Sequence, residues 1–137
     1  MKFSLDLYSK EPMYAQIVSQ LKEQIILGYI ACGDILPSIR ALSFENEVSS
    51  ITVIKAYQLL SDEGVIVSSQ SKGHFLSDDA KGIISEQYKK EIEKNLLCAA
   101  RSAAAIGLND EDVCSLLKTL WAKEVCHGDT LDEKEEN

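Results

Sequence analysis

The run Leu36-Pro37-Ser38-Ile39-Arg40 contains a serine and an arginine, Ser38 and Arg40, whose residue types and spacing fit a binding site at the start of a helix. Proline favours the first turn of a helix, and a serine there can cap the turn with its hydroxyl group. A helix N-terminus presents unpaired N–H groups and a positive dipole end, which attract phosphate, and arginine adds a bidentate contact to phosphate or guanine. The pair therefore predicts contact with a nucleic acid. The alternative is a simple cap and a solvated surface arginine.

A second group of candidate contact residues opens the next predicted helix, and a third lies between two short β-prone runs. Serine and threonine hydroxyls can bind phosphate or a base edge, isoleucine can contact a thymine methyl group, and lysine neutralises phosphate. A glycine allows close approach of the backbone. For the two serines, capping alone is an alternative, and for the histidine a surface position at a strand end fits equally well. The residues are Ser49, Ser50, Ile51, Thr52, Lys55, Lys72, Gly73 and His74.

The charge balance limits how the chain binds a polyanion. Its 137 residues carry 14 basic and 22 acidic side chains, a formal net charge of -8. Neither residues 1–79 nor residues 80–137 contain an excess of basic residues. This argues against loose, non-specific adhesion to nucleic acid. Any DNA contact surface must therefore be a small basic patch, for which Arg40, Lys55 and Lys72 are available.

Three helices are predicted around these candidate residues. Pro12 favours a helix start, and apolar residues recur every three or four positions between Met13 and Ile26. Two shorter helices follow, each opened by one of the serines named above, and the second ends at Gly64. A short turn joins them, which is the helix-turn-helix arrangement, whose second helix is able to enter a major groove.

A short hairpin is predicted after these helices. Residues 65–67 and 74–76 are β-prone, and the residues between them are polar. Ile39, Leu42 and Phe44 are expected on the buried face of the second helix. The sequence thus predicts a mainly α-helical fold with a small β-hairpin wing, a winged helix-turn-helix domain over residues 1–78.

The rest of the chain predicts a two-helix dimerisation region over residues 79–126. Residues 78–82 resemble a linker, Gly107 ends a long amphipathic helix, and Asn109 or Asp110 caps its successor. Two helices cannot form a stable core alone, so we expect pairing with a second copy of the chain; folding back onto the winged helix is the alternative. The predicted dimerisation residues are Ile84, Tyr88, Ile92, Leu96, Ala99, Ala103, Leu117, Leu120 and Trp121.

The cysteines and the ends of the chain complete these expectations. The four cysteines show no CxxC spacing, which predicts reduced thiols buried as small hydrophobic side chains. Redox or metal sensing is the alternative, with Cys126, His127 and Asp129 as the clustered ligands. No signal-peptide core and no membrane-length apolar run are present, so a cytoplasmic protein without a membrane segment is expected. Residues 127–137 are expected to form an acidic, disordered tail.

The stretch from Pro12 to Leu76 resembles the winged helix of the GntR family of bacterial transcription regulators. Its glycines, the runs LPSIR and TVIKAY, and the wing sequence GHF stand in register with the family's pattern. The short carboxy-terminal part is similar to the YtrA subfamily, in which the appendage is a small helical dimerisation unit. The resemblance implies that Ser38 and Arg40 approach DNA and that Tyr57 packs in the core.

The resemblance also implies a homodimeric repressor that binds an inverted-repeat operator in double-stranded DNA, with no enzymatic activity and no cofactor. This chain departs from the family at two places. Ser50 stands where the family often has a base-reading arginine, and residues 69–71 lack the usual wing arginines. Weaker binding with a shallower salt dependence is therefore expected.

Two other functions remain open from the sequence. One is a winged-helix interaction protein that has lost much of its DNA surface and acts through a partner. The other is a thiol-responsive regulator that uses Cys98, Cys114 or Cys126. No motif identifies a small-molecule effector.

Overall fold

The computed structural model describes residues 1–126, and the chain forms two compact units, residues 1–89 and the described residues from Lys90 onward. The first unit contains the helices α1, α2 and α3, the strands β1 and β2, and the first turns of α4. The second unit contains the rest of α4, the helix α5 and a short π-helical segment. The elements are α1 (Met13–Ile26), α2 (Ile39–Asn46), α3 (Ser50–Asp62), β1 (Ile66–Ser69), β2 (Gly73–Leu76), α4 (Ala80–Ala105), α5 (Asp110–Leu120) and the π-helix (Trp121–Val125).

Helices α1, α2 and α3 enclose the core of the first unit. Ile17, Leu21 and Ile25 are buried on one side of α1, as their spacing predicts. Leu42 of α2 and Leu60 of α3 are fully buried in the same cluster. Burial of a side chain of this size contributes roughly 1.5–3 kcal/mol, so this cluster fixes the positions of the two helix starts that carry the candidate site.

The predicted buried face of α2 is only partly correct. Leu42 is buried and Ile39 is partly buried, but Phe44 is 88% exposed. Phe44 lies two residues after Leu42, about 200° away around a helix, and therefore lies on the other side of α2. Residues two positions apart do not share a face of a helix, so Leu42 and Phe44 could not both be buried on one side of α2.

Strands β1 and β2 form the predicted hairpin. They pair antiparallel, with Ile66 opposite Leu76 and Ser69 opposite Gly73. The chain before α2 adds to this hairpin, because the Leu36 N–H donates to the His74 carbonyl oxygen at 2.8 Å. The wing is therefore tied by backbone hydrogen bonds to the residues that lead into α2.

Helix α4 begins where the sequence predicted a linker. Ala80 and Ile84 are fully buried in the core of the first unit. The assignment of Ile84 to a dimerisation surface is therefore wrong, since a fully buried side chain cannot face a second copy. Ile84 stands at the same helical spacing as the apolar residues later in α4. The sequence therefore does not show that Ile84 is buried in the first unit while the later residues are exposed.

Residues 1–6 are held along the first unit by side-chain amides. Gln16 Nε2 donates to the Asp6 carbonyl oxygen at 2.9 Å, and Gln16 Oε1 accepts from the Asp6 N–H at 2.8 Å. Asn46 Oδ1 accepts from the Phe3 N–H at 2.8 Å, and Phe3 itself is buried. Backbone groups of this segment thus form their hydrogen bonds with side chains of α1 and α2.

The second unit is a helical hairpin with little buried surface. Gly107 has a φ of 81° at the turn, and Asn109 caps α5 by accepting from the Asp112 N–H at 2.9 Å. The Asp112 side chain accepts in return from the Asn109 N–H, which completes a capping box. Ala103 is the buried hydrophobic residue among the described residues of this unit.

All four cysteines are exposed, so the prediction that they are buried is wrong. His127, Asp129 and the predicted acidic tail lie outside the described residues. Within residues 1–126, no helix is both long and apolar enough to cross a bilayer.

Candidate nucleic-acid interface

The start of α2 is built as the sequence predicts. Ser38 is the N-cap, and its Oγ accepts from the Ala41 N–H at 3.0 Å. Both Ser38 and Arg40 are exposed. The carbonyl oxygen of Pro37, directly before the cap, accepts a 2.7 Å hydrogen bond from the Tyr57 hydroxyl of α3. The helix start is thus anchored to the neighbouring helix by a buried tyrosine.

The start of α3 is capped by Ser49. Its Oγ accepts from the Thr52 N–H at 3.2 Å and lies 2.9 Å from the Thr52 hydroxyl oxygen. Of the two predicted capping residues, Ser49 is therefore the one that caps. Ser50 is exposed beside it and, with Ser38 and Arg40, lines a shallow depression between α2 and α3. The two helix N-termini are brought together at one surface.

The outward face of α3 carries Ile51 and Lys55. Ile51 is 76% exposed. Lys55 Nζ lies 4.1 Å from the centroid of the Tyr14 ring of α1, a cation–π contact. Lys55 therefore lies toward α1, while Ile51 projects from the first turn. Sequence reasoning missed Tyr14, because its partnership with Lys55 depends on the packing of α1 against α3.

The wing contributes an exposed lysine and a fixed histidine. Lys72 is exposed at the hairpin turn, and Gly73 has a φ of 74°, in the left-handed region that favours glycine. His74 Nδ1 lies 2.8 Å from the Ser68 hydroxyl oxygen. Its ring meets the ring of Tyr57 edge-on, with centroids 4.8 Å apart. His74 therefore supports the packing of the wing against α3 and is only partly exposed.

Two of the acidic residues in and next to the helix-turn-helix form ion pairs with groups elsewhere in the first unit. The Met1 ammonium group lies 2.6 Å from Glu45, and Lys22 Nζ lies 2.9 Å from Glu63. Asp62 accepts from Gln58 at 2.9 Å. Glu47 stands in the turn between α2 and α3, with a φ of 54°. The two ion pairs offset part of the negative field, which matters for a surface with few basic residues.

Most of the predicted dimerisation residues lie on exposed surface of the second unit. Ala103 is buried, and Ala99 and Ala103 line an apolar groove together with Leu96, Leu117 and Leu120. Tyr88 is exposed at the end of the first unit. The other exposed members are Ile92 and Trp121, and Leu97, Ile106, Leu116 and Val125 are exposed apolar residues that the prediction did not include.

Comparison with known proteins shows the family to which this chain belongs. Residues 13–76 match the family described as "Bacterial regulatory proteins, gntR family". The HTH-type transcriptional repressor YtrA of Bacillus subtilis is 32% identical over 118 residues, which are 86% of this chain and 91% of that protein. This chain belongs to the GntR family. The sequence-based resemblance to its YtrA-like members is confirmed.

Solved structures of GntR regulators have the same fold. A GntR family regulator from Listeria monocytogenes superposes with a TM-score of 0.69 at 26% identity, covering 84% of this chain and 98% of that one. YtrA from Sulfolobus acidocaldarius, a GntR-family factor, gives 0.58 at 36% identity over 69% of this chain and 97% of its own. The predicted winged-helix fold is confirmed by these neighbours.

A GntR-type domain in complex with DNA is also similar to part of this chain. The DNA-binding domain of AraR, solved with the operator ORX1, gives a TM-score of 0.50 at 26% identity. The match covers 56% of this chain and 95% of the AraR domain. A domain that was crystallised on operator DNA is thus similar in structure to somewhat more than half of this chain.

Proposed function

We propose that this GntR protein is a sequence-specific DNA-binding transcription regulator and acts as a repressor. The N-termini of α2 and α3 lie at one surface, where Ser38, Arg40 and Ser50 line the same depression, and this arrangement supports the proposal. Exposed N–H groups, a positive dipole end and an arginine together favour phosphate. The repressor YtrA is similar over most of both chains, which supports the same direction of regulation.

The proposed DNA surface extends from this depression along α3 and to the wing. The first turn of α3 would face the base edges of a major groove, as in other helix-turn-helix proteins. Lys72 at the hairpin turn would neutralise a phosphate beside it, with Gly73 allowing the backbone to come close. The proposed contact residues are Ser38, Arg40, Ser49, Ser50, Ile51, Thr52, Lys55, Lys72, Gly73 and His74.

We further propose that two copies pair through the second unit. Its helices expose Leu116, Leu120 and Trp121 at 55–57% each, and the groove between them is lined almost wholly by apolar side chains. An apolar surface of this kind on a helical hairpin is unfavourable in water and typical of an interface between proteins. A twofold dimer would place two α3 helices on an inverted-repeat operator.

A salt-titrated gel shift with DNA from upstream of the protein's own gene tests the DNA-binding proposal. Wild-type protein should give a specific shift at low salt. Arg40→Ala should lower affinity by roughly tenfold or more, since a good arginine contact to a base contributes roughly 1–3 kcal/mol. If Arg40 binds phosphate instead, the salt slope should fall by about one per subunit.

Arg101→Ala is the matched control, because Arg101 is exposed on α4 in the second unit and outside the proposed DNA surface. Equal losses for Arg40→Ala and Arg101→Ala would contradict the assigned surface. Absence of any specific shift at low salt would instead favour the interaction-protein alternative.

Sedimentation equilibrium tests the dimer. Leu117→Glu places a charge in the apolar groove and should convert a dimer to a monomer at micromolar concentration. Leu27→Glu is the control, because Leu27 is also exposed, at 60%, but lies directly after α1 in the first unit. A monomeric wild-type protein would contradict the proposal.

The exposure of the cysteines favours a second candidate function, a thiol-responsive regulator. Cys98 and Cys114 are both exposed in the second unit, where their modification would alter the proposed pairing surface. Mild oxidant should then change DNA affinity in the wild-type protein but not in a Cys98→Ser, Cys114→Ser double variant. An equal response of the two proteins would reject this candidate.

A further inference from the structure

Ile51 occupies the position of α3 best placed to contact bases. It lies in the first turn, and the buried residues Val53, Ala56, Tyr57 and Leu60 lie on the opposite side of the helix. At about 100° per residue, Ile51 is close to the centre of the outward face. Its side chain is 76% exposed, so the fold makes little use of its hydrocarbon surface.

Several polar side chains around Ile51 are engaged within the protein, whereas Ser50 is exposed and lines the depression toward α2. The hydroxyl groups of Ser49 and Thr52 lie 2.9 Å apart and act at the helix cap. Lys55, one turn after Ile51, has its ammonium group over the ring of Tyr14. Ile54 adds a second exposed branched side chain, at 48%. The outward face of the first turns of α3, which we call the reading face, is therefore apolar at its centre.

An apolar side chain distinguishes few features of a DNA major groove. Guanine and adenine present hydrogen-bonding atoms there, and cytosine presents an amino donor, whereas thymine adds a 5-methyl group. Isoleucine has no hydrogen-bonding atom in its side chain. Contact with a polar base edge would leave that edge without a partner, which is costly, whereas contact with a methyl group buries apolar surface on both sides.

We infer that Ile51 is a specificity-determining residue that recognises the 5-methyl group of thymine in each operator half-site. The inference rests on the proposed DNA-binding function and goes beyond it, because it names the chemical group that is read. Ile51 would then distinguish between bases by apolar contact, as hydrogen-bonding side chains do in other DNA-binding proteins. Half-sites should contain thymine at the position that faces the first turn of α3.

Replacement of thymine by 2′-deoxyuridine tests this inference directly, because it removes the methyl group and leaves base pairing unchanged. Thymines of the bound operator are replaced one position at a time, symmetrically in both half-sites, and affinity is measured at fixed salt. At one position, wild-type affinity should fall roughly fourfold for each buried methyl group, the effect of about one CH₂-sized apolar group. At that position Ile51→Ala should bind the thymine and deoxyuridine operators equally.

Two variants separate reading from folding. Ile51→Val keeps both γ-carbons and should retain most of the sensitivity to the methyl group. Leu59→Ala removes an apolar side chain from the third turn of α3 and should leave the sensitivity unchanged. Alanine has a higher helix propensity than isoleucine, so Ile51→Ala should remain folded, which circular dichroism verifies.

The outcomes distinguish the inference from the function on which it rests. No binding to any operator DNA overturns both. Binding that is insensitive to deoxyuridine at every position, or equally sensitive in Ile51→Ala, overturns the inference alone. If Phe44→Ala abolishes the sensitivity and Ile51→Ala does not, the exposed phenylalanine of α2 is the reading residue and the assignment to Ile51 is wrong.

Discussion

The hydroxyl group of Tyr57 donates a 2.7 Å hydrogen bond to the carbonyl oxygen of Pro37, so that α3 holds the residue directly before the cap of α2. Tyr57 is 2% exposed, and its ring also meets that of His74 on the wing. One buried side chain of α3 thus contacts both the residue that precedes the cap of α2 and the hairpin.

Tyr57→Phe should destabilise the protein by about 1–2 kcal/mol, because a partly buried carbonyl oxygen loses its hydrogen-bond donor while packing is kept. DNA affinity should also fall, since the start of α2 is no longer fixed relative to α3. Urea unfolding and the gel shift measure the two effects. Tyr88→Phe, at an exposed tyrosine, should change stability by less than about 0.5 kcal/mol. Similar values for both variants would contradict the role assigned to the hydroxyl.

Alkaline pH should destabilise the wild-type protein through the same residue. Burial raises the pKa of Tyr57 well above the ordinary tyrosine value of 10.0. Above about pH 10 the unfolded chain releases this proton while the folded chain keeps it, so the free energy of unfolding decreases with rising pH. Below pH 10 both states are protonated and the group adds no pH dependence.

Stability measured from pH 8 to 11.5 in the wild type and in Tyr57→Phe tests this prediction. The difference between the two proteins should be constant at the lower end and shrink at the upper end. A difference that does not change across the range would show that burial does not raise the pKa of this tyrosine.

Glu47→Gly should stabilise the protein by about 0.5–1 kcal/mol. Glu47 has a φ of 54° at the end of α2, a left-handed conformation that is strained for a residue with a Cβ and favourable for glycine. The greater chain entropy of glycine offsets part of this gain. Glu23→Gly makes the same chemical change inside α1 and should cost about 1 kcal/mol. Thermal unfolding should therefore shift in opposite directions for the two variants.

Gln16→Ala should cost about 2–3 kcal/mol and release the amino-terminal segment. Gln16 is 6% exposed and makes hydrogen bonds to both backbone groups of Asp6 and to the Glu11 carbonyl oxygen. Its loss removes three hydrogen bonds made by one buried side chain. Gln20 pairs with Ser4 in the same manner but at an exposed position, so Gln20→Ala should cost less than about 1 kcal/mol. Urea unfolding and amide exchange at Asp6 measure the difference.

Much of the first unit follows from local sequence signals. Ser38, Ser49 and Gly64 act at helix ends through hydrogen bonds and backbone angles that involve their near neighbours, so the sequence alone predicted the helices they bound. The hairpin followed in the same way from two β-prone runs and a polar turn. Phe44 and Ile84 were placed wrongly, because an apolar side chain does not show which surface it meets.

The order of elements, their caps and the residue types at the proposed DNA surface could be predicted without a structure, since these features depend on interactions over a few residues. Tertiary structure decided which side chains remain available there. Packing of α1 against α3 draws Lys55 over Tyr14, and packing of the wing fixes His74 against Tyr57. Ile51 is left exposed at the centre of the reading face because the buried residues of α3 pack into the core on the opposite side of the helix.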